Sequence, residues 1–299
     1  MHHPENDSSD GSQISNEHGG RLVLILRFSA SLCLAGWAWV HLYWEGPLGV
    51  LLWSDNTLEW AKQLGYSWNE FVGTGANDGL IQRLQRGIGW TLLLAAAGAV
   101  LVRSPGKTAW AMGIIGSLLL FLIGDAKYLA SQQQLPMLIE HGGQMLSPIL
   151  FVLALSYGPR HRVTVIVAVA AVVLTFAGHG CYAIGLWPTP STFFAMTAVI
   201  LGTDYDASVL FLRIAGGLDF GVCVALLVPP FRRGGAAYAT AWGFFTAIAR
   251  PAAGMSIGLN YFGADQYLHE AILRTPHFLI PLYLFYVWRP SSDVQPTLH

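Results

Sequence analysis

Ionisable side chains stand inside long apolar runs of this chain, where their desolvation is costly and their presence informative. His141 and His269, 128 residues apart, each open a His-x5-[Ser/Thr]-Pro segment that leads into an apolar run. Arg83 to Gly89 and Arg213 to Asp219 form a second pair, offset by 130 residues. Among these groups His179, Asp219 and His269 have the right types for proton transfer, since a histidine beside an acid of shifted affinity both gives and takes protons. Arg213, Arg250, Arg274, Glu270 and His141 suit the binding of a polar or anionic group. At 1.5 Å per residue, Arg213 lies roughly 9 Å and Asp219 roughly 18 Å below the start of their span. A buried aspartate at that depth is neutral or paired, and Arg213, Arg250 or a histidine is its expected partner. Glu270 and Arg274 are spaced i,i+4 and should bond on one helical face.

Each of these residues also has a plainer reading. Charged groups at the ends of spans, such as Glu45, Arg86, Asp125 and Lys127, can snorkel to the interface. His141 and His269 can simply hydrogen-bond a carbonyl of a neighbouring helix. The Ser147-Pro148 and Thr275-Pro276 pairs suit helix kinks, in which the hydroxyl satisfies a backbone group freed by proline.

The elements that must position these groups are membrane helices. The chain has 299 residues, of which 54% are hydrophobic and only 11% charged, about half the charge of a soluble domain. Eight apolar windows of spanning length are expected, near 22–44, 82–102, 108–128, 137–157, 163–186, 207–229, 236–258 and 267–288. The fourth, seventh and eighth are the least apolar. The fold class is therefore all-α, a polytopic membrane bundle, with the lipid bilayer as its surroundings. Residues 1–20 and 290–299 are polar and are expected as tails, the first disordered. Residues 21–158 and 159–289 form the two halves. Four spans per half is an even number, so the two four-helix units run parallel rather than inverted.

Loop charge sets the orientation. Arg21, Arg103, Lys107, Arg160, Arg162, Arg232, Arg233 and Arg289 share one side, which places both termini in the cytoplasm of an inner (plasma) membrane protein. The two long connections, 45–81 and 187–206, then lie outside. Each carries a short segment with helical apolar spacing, 58–64 and 192–201, suited to the interface. A net charge of -1 excludes nucleic-acid binding as an electrostatic theme. Cys33, Cys181 and Cys223 lie singly in apolar runs and suggest neither a disulfide framework nor a zinc ribbon.

Residues 178–234 read Gly-His179-Gly180-Cys-Tyr-Ala-Ile-Gly, then Phe194 and Leu201-Gly202, then Arg213-Ile-Ala-Gly-Gly-Leu-Asp219-Phe-Gly, ending in Arg232-Arg233. This resembles the DoxX-like membrane family, with its His-Gly after the first span of a four-helix unit and its glycine-flanked acid in the second span. The first half departs from that pattern, with His41-Leu42 for His-Gly and Gly89 where Asp219 stands. The resemblance implies a membrane component linked to quinone oxidoreduction, with quinone as cofactor or substrate and a partner oxidoreductase subunit. No flavin, c-type haem or iron–sulfur motif is present, so electrons would come from that partner. Two other classes fit the residues. One is a proton-coupled transporter for a small anion, with the arginines as binding charges and Asp219 as the proton site. The other is a haem or metal protein ligated by two of His41, His141, His179 and His269.

Overall fold

The structure is a computed structural model that describes residues 8–289. Residues 1–7 of the expected first tail and all of the expected second, 290–299, lie outside the described residues; from Ser8 on, the segment expected to be disordered is instead the start of the first helix. The elements are α1 (Ser8–Tyr43), α2 (Gly49–Leu52), α3 (Asp55–Gln63), α4 (Trp68–Val72), α5 (Leu80–Leu101), α6 (Lys107–Ala130) and α7 (Leu135–Ile139). They continue with α8 (Gly142–Tyr157), α9 (Arg162–Ala183), α10 (Ser191–Leu201), α11 (Tyr205–Leu227), α12 (Arg232–Gly254), α13 (Ala264–Ile272) and α14 (Pro276–Val287). No sheet forms among the described residues; one isolated bridge joins Gly73 to Asp78.

Six segments are long and apolar enough to cross a membrane: Gly19–Tyr43, Leu80–Leu101, Lys107–Ala130, Leu135–Tyr157, Arg162–Ala183 and Tyr205–Leu227. They mark an integral, multi-pass membrane protein. The expected seventh and eighth spans do not meet the same measure. Helix α12 has the length, at 23 residues, but its Arg, Gly and Ala content dilutes its hydropathy. The last segment breaks at Leu273–Thr275, so α14 retains only 12 residues.

Helix α1 packs on α5, α5 on α6, α6 on α8 and α8 back on α1. A second ring runs α9, α11, α12, α14 and back to α9. The rings meet where α8 touches α9 and where α1 touches α13 and α14. Glycines make these crossings close. A Cβ on Gly36 of α1 would stand 2.6 Å from the Leu273 nitrogen, and one on Gly178 of α9 would stand 2.5 Å from the Glu140 nitrogen. Each ring's first helix thus lies against the helix break of the other ring.

The Ser147-Pro148 and Thr275-Pro276 pairs resolve differently. Pro148 lies inside α8 and leaves the Gln144 carbonyl without its helical donor; the Ser147 hydroxyl donates to it at 3.0 Å. Pro276 instead occupies the first turn of α14, where a missing N–H costs nothing, and the buried Thr275 hydroxyl has no partner. The kink device expected of both pairs operates only at Ser147.

One continuous apolar core runs through both rings, from Leu22 and Leu26 on α1 to Tyr283 and Leu284 on α14. The connection after α1 folds over a small cluster of its own, Ala61, Phe71 and Ile81. The connection after α9 is the single helix α10, which packs on α11 and α12. Both connections sit at the end of the bundle where α1 and α9 finish, called here the loop-rich end.

Candidate functional site

A cavity of about 350 Å³ opens within the second ring and under α10. Its volume falls at the lower end of the roughly 300–1,000 Å³ typical of small-molecule sites. Phe176, Phe193, Met196, Ile200, Phe211 and Phe245 supply an apolar wall. Against it stand Glu140, His141, Gln144, His179, Asp219, Arg250, Arg274 and His277. Helices α8 and α14 contribute because their breaks turn the chain just where His141 and His277 follow.

The loop-rich end of the cavity is ionic. Glu270 pairs with Arg274 one turn on, as the i,i+4 spacing predicts, and forms a looser ion pair with Arg250, whose Nε lies 3.6 Å away. The same Arg274 guanidinium donates to the Glu270 carbonyl at 2.7 Å, capping the end of α13 where the helix stops. Lys127 lies over the Trp37 ring at 5.6 Å, and the Trp37 indole donates to Gln144 Oε1 at 2.7 Å, tying α1 to a cavity residue.

Three histidines share one local geometry. Nδ1 of His41, His141 and His269 stands 2.9, 2.7 and 3.3 Å from the carbonyl four residues earlier. A carbonyl only accepts, so Nδ1 carries the proton and Nε2 is left as the acceptor facing away from the helix. At His141 that nitrogen belongs to a cavity-lining ring. His41 Nε2 is buried without a partner, and Gly46 packs directly on it.

His179 is different, because its ring is held by other rings. Phe193 of α10 stacks on it with centroids 6.1 Å apart, and His277 meets it edge-on at 5.4 Å. His277 is 4% exposed and neither of its ring nitrogens has a hydrogen-bond partner. Asp219, roughly 21 Å along α11 from its first residue, is 3% exposed and its Oδ1 is likewise unpartnered. A buried polar group left unsatisfied costs about 1–3 kcal/mol. Two such side chains on one cavity wall are what a site for a hydrogen-bonding ligand requires.

The structure brings five of the eight singled-out residues to this cavity: His141, His179, Asp219, Arg250 and Arg274. Glu270 stands behind the two arginines. Arg213 and His269 are elsewhere. Arg213 is exposed and borders a separate groove with Trp187, Phe194 and Tyr205. His269 is buried between α13 and α1, its ring 6.0 Å from Trp39. No ion pair reaches Asp219 from Arg213, Arg250 or a histidine among the described residues, which corrects the partner expected from depth. Of the four histidines considered as haem or metal ligands, His41 and His269 lie off the cavity. No group of three or more His, Cys, Asp or Glu side chains is arranged to hold a metal ion among the described residues.

Sequence reasoning passed over His277, Glu140, Gln144 and Trp242 as site residues. His277 follows His269 by eight residues, a spacing that suggests the same helical face, but the break at Leu273–Thr275 directs the two rings to different neighbours. Comparison with protein-family models, with curated proteins and with solved structures gave no match.

Proposed function

We propose that the chain is the quinone-binding membrane component of a redox system. The observation that carries this reading is the polar pair His179–His277 facing an apolar cavity wall, with both His277 nitrogens and Asp219 Oδ1 buried and unpartnered. A quinone head offers two carbonyl acceptors, which become hydroxyl donors on reduction, and an apolar ring that Phe193 and Phe176 would sandwich. His179 or His277 would hydrogen-bond one oxygen, and Asp219 would give or take a proton at the deeper end. Quinone reduction takes two electrons and two protons. This chain's residues handle the protons, and a partner oxidoreductase subunit supplies the electrons.

The two rings of helices support the DoxX-like reading, in which eight spans form two parallel four-helix units. On this reading α12 and the pair α13–α14 are the seventh and eighth spans, shielded by their neighbours despite their polar content. Both termini and the arginine-rich loops then face the cytoplasm, in a plasma membrane, and the cavity opens toward the outer half of the bilayer.

Titration of the detergent-solubilised protein with a soluble benzoquinone tests this reading. Trp242 lines the cavity, so the quinone should quench its emission, and Trp242→Phe should remove that saturable component. Saturable quenching that survives Trp242→Phe, or none at all, rejects the site.

A second reading rests on charge. Near the loop-rich end Lys127, Arg250 and Arg274 stand close to Glu140 and Glu270, three cations to two acids in this cluster of the described residues. That suits a proton-coupled carrier of a small anion, with Asp219 as the proton site. Uptake into proteoliposomes driven by a pH gradient, and absent in Asp219→Asn, would favour it over the redox reading.

A further inference from the structure

The cavity is not walled evenly. Three of its lining side chains, Ile200 and Leu201 on α10 and Phe245 on α12, are also 45%, 48% and 58% exposed on the outside of the bundle. All three are apolar. The acidic and basic lining groups are by contrast buried or half-buried, Asp219 at 3% exposure and the Arg274 side chain at 12%. The cavity is therefore open along the seam between α10 and α12, and the rim of that opening carries no charge.

Depth decides what lies outside this seam. Phe245 precedes the end of α12 by nine residues, roughly 14 Å at helical rise. A side chain that far below the end of a helix in a multi-pass bundle faces acyl chains, not water. Here an aromatic and two aliphatic side chains border an interior that leads to Asp219 and His277.

We infer that the seam between α10 and α12 is a lateral portal, through which the site takes a ligand from the bilayer and through which that ligand's apolar tail remains in contact with lipid. The occupant is a membrane-partitioned molecule with a polar head and an extended apolar tail, rather than a water-soluble one. This rests on the quinone reading for the identity of the head. The apolar rim is what selects the tail: it can lie there without desolvating any charge, whereas a hydrated solute would have to shed water to pass.

The test uses the full chain in liposomes, with Cys181→Ser to remove the partly accessible thiol; Cys33 and Cys223 are buried. A nitroxide on Phe245→Cys reports collisions with oxygen, which concentrates in lipid, and with a water-soluble nickel chelate. The expected label is oxygen-accessible and nickel-protected. A dimethoxy-methyl-benzoquinone carrying a decyl tail should reduce its oxygen accessibility, and the same quinone without the tail should bind, by Trp242 quenching, and leave the label unchanged. Both probes binding with no effect at residue 245 overturns the portal. Neither probe binding overturns the quinone reading, and the portal is then judged by the label alone, a nickel-accessible label rejecting it. Ala252 of α12 also lines the cavity and is exposed; narrowing the rim there with Ala252→Trp should weaken the tailed probe roughly tenfold, the scale of one or two displaced methylenes, and spare the tailless one; equal weakening of both means a damaged site and no portal.

Discussion

The two halves put the same kinds of residue at corresponding places and obtain opposite results. In the first ring Leu42 follows His41 and Gly89 lies on the facing helix, and the two fit together: a Cβ on Gly89 would stand 2.8 Å from the Leu42 side chain. In the second ring Gly180 follows His179 and packs against Gly216 and Phe220 of α11, while Asp219 of that helix lines the cavity. In the first ring Leu42 covers Gly89; in the second a cavity has an acid on its wall. The connections differ in the same sense: α2 to α4 fold over their own small cluster, whereas α10 has none and packs over the cavity instead. The cavity thus lies beside the acid of α11, at a level where α5 carries a glycine covered by Leu42.

The largest expected effect comes from forcing the first ring to imitate the second. Gly89→Asp introduces both a steric overlap with Leu42 and a buried, unpaired carboxylate, and should destabilise the protein by about 3 kcal/mol or more. A lowered melting midpoint in detergent would report it. Adding Leu42→Gly should restore part of the loss, a non-additivity that only direct contact produces. A single variant as stable as the parent would mean that the first ring has room of its own.

Asp219→Asn removes the asymmetry from the other side. The amide is nearly isosteric and cannot release a proton, so the melting midpoint should hardly move while quinone-linked turnover falls about 100-fold or more. Turnover that persists would remove Asp219 from the chemistry and leave it a packing residue.

A smaller effect is expected where the rings communicate. Gln144→Leu breaks the 2.7 Å bond from the buried Trp37 indole, leaving that donor unsatisfied, for a loss of about 1–3 kcal/mol. Since Gln144 also lines the cavity, quinone affinity should change with stability. If stability falls and affinity does not, the first ring supports the second without tuning its site.

The smallest effect is a pH response confined to the first connection. Two hydrogen bonds from Ser67 hold the exposed Glu70 carboxyl below the ordinary carboxylate range, in a capping box at the start of α4. Because the folded value is depressed, the stabilisation is complete above the unfolded value and is lost as pH falls through the folded one. Amide protection factors in α4, corrected for the intrinsic rate, should therefore fall in acid, with no equivalent in α10, which has no side-chain cap.

Much of this was legible in composition and spacing. Apolar windows located six spanning segments to within a few residues, and segments 58–64 and 192–201 fell on helices α3 and α10. The i,i+4 relation of Glu270 and Arg274 was readable because it lies within one helix. Relations between helices were not. Depth along an axis puts Arg213, His269 and Asp219 near one another, but rotation about each axis turns Arg213 outward and His269 toward Trp39.

The sequence by itself determined that this is a helical, multi-pass membrane protein with ionisable groups at chosen depths, because hydropathy and helical rise act on residues one after another. Only the tertiary structure decided that a cavity forms beside Asp219, and that His277 rather than His269 joins His179. Those outcomes depend on which neighbours meet and how much volume they bring, and on a helix break that redirects every side chain after it.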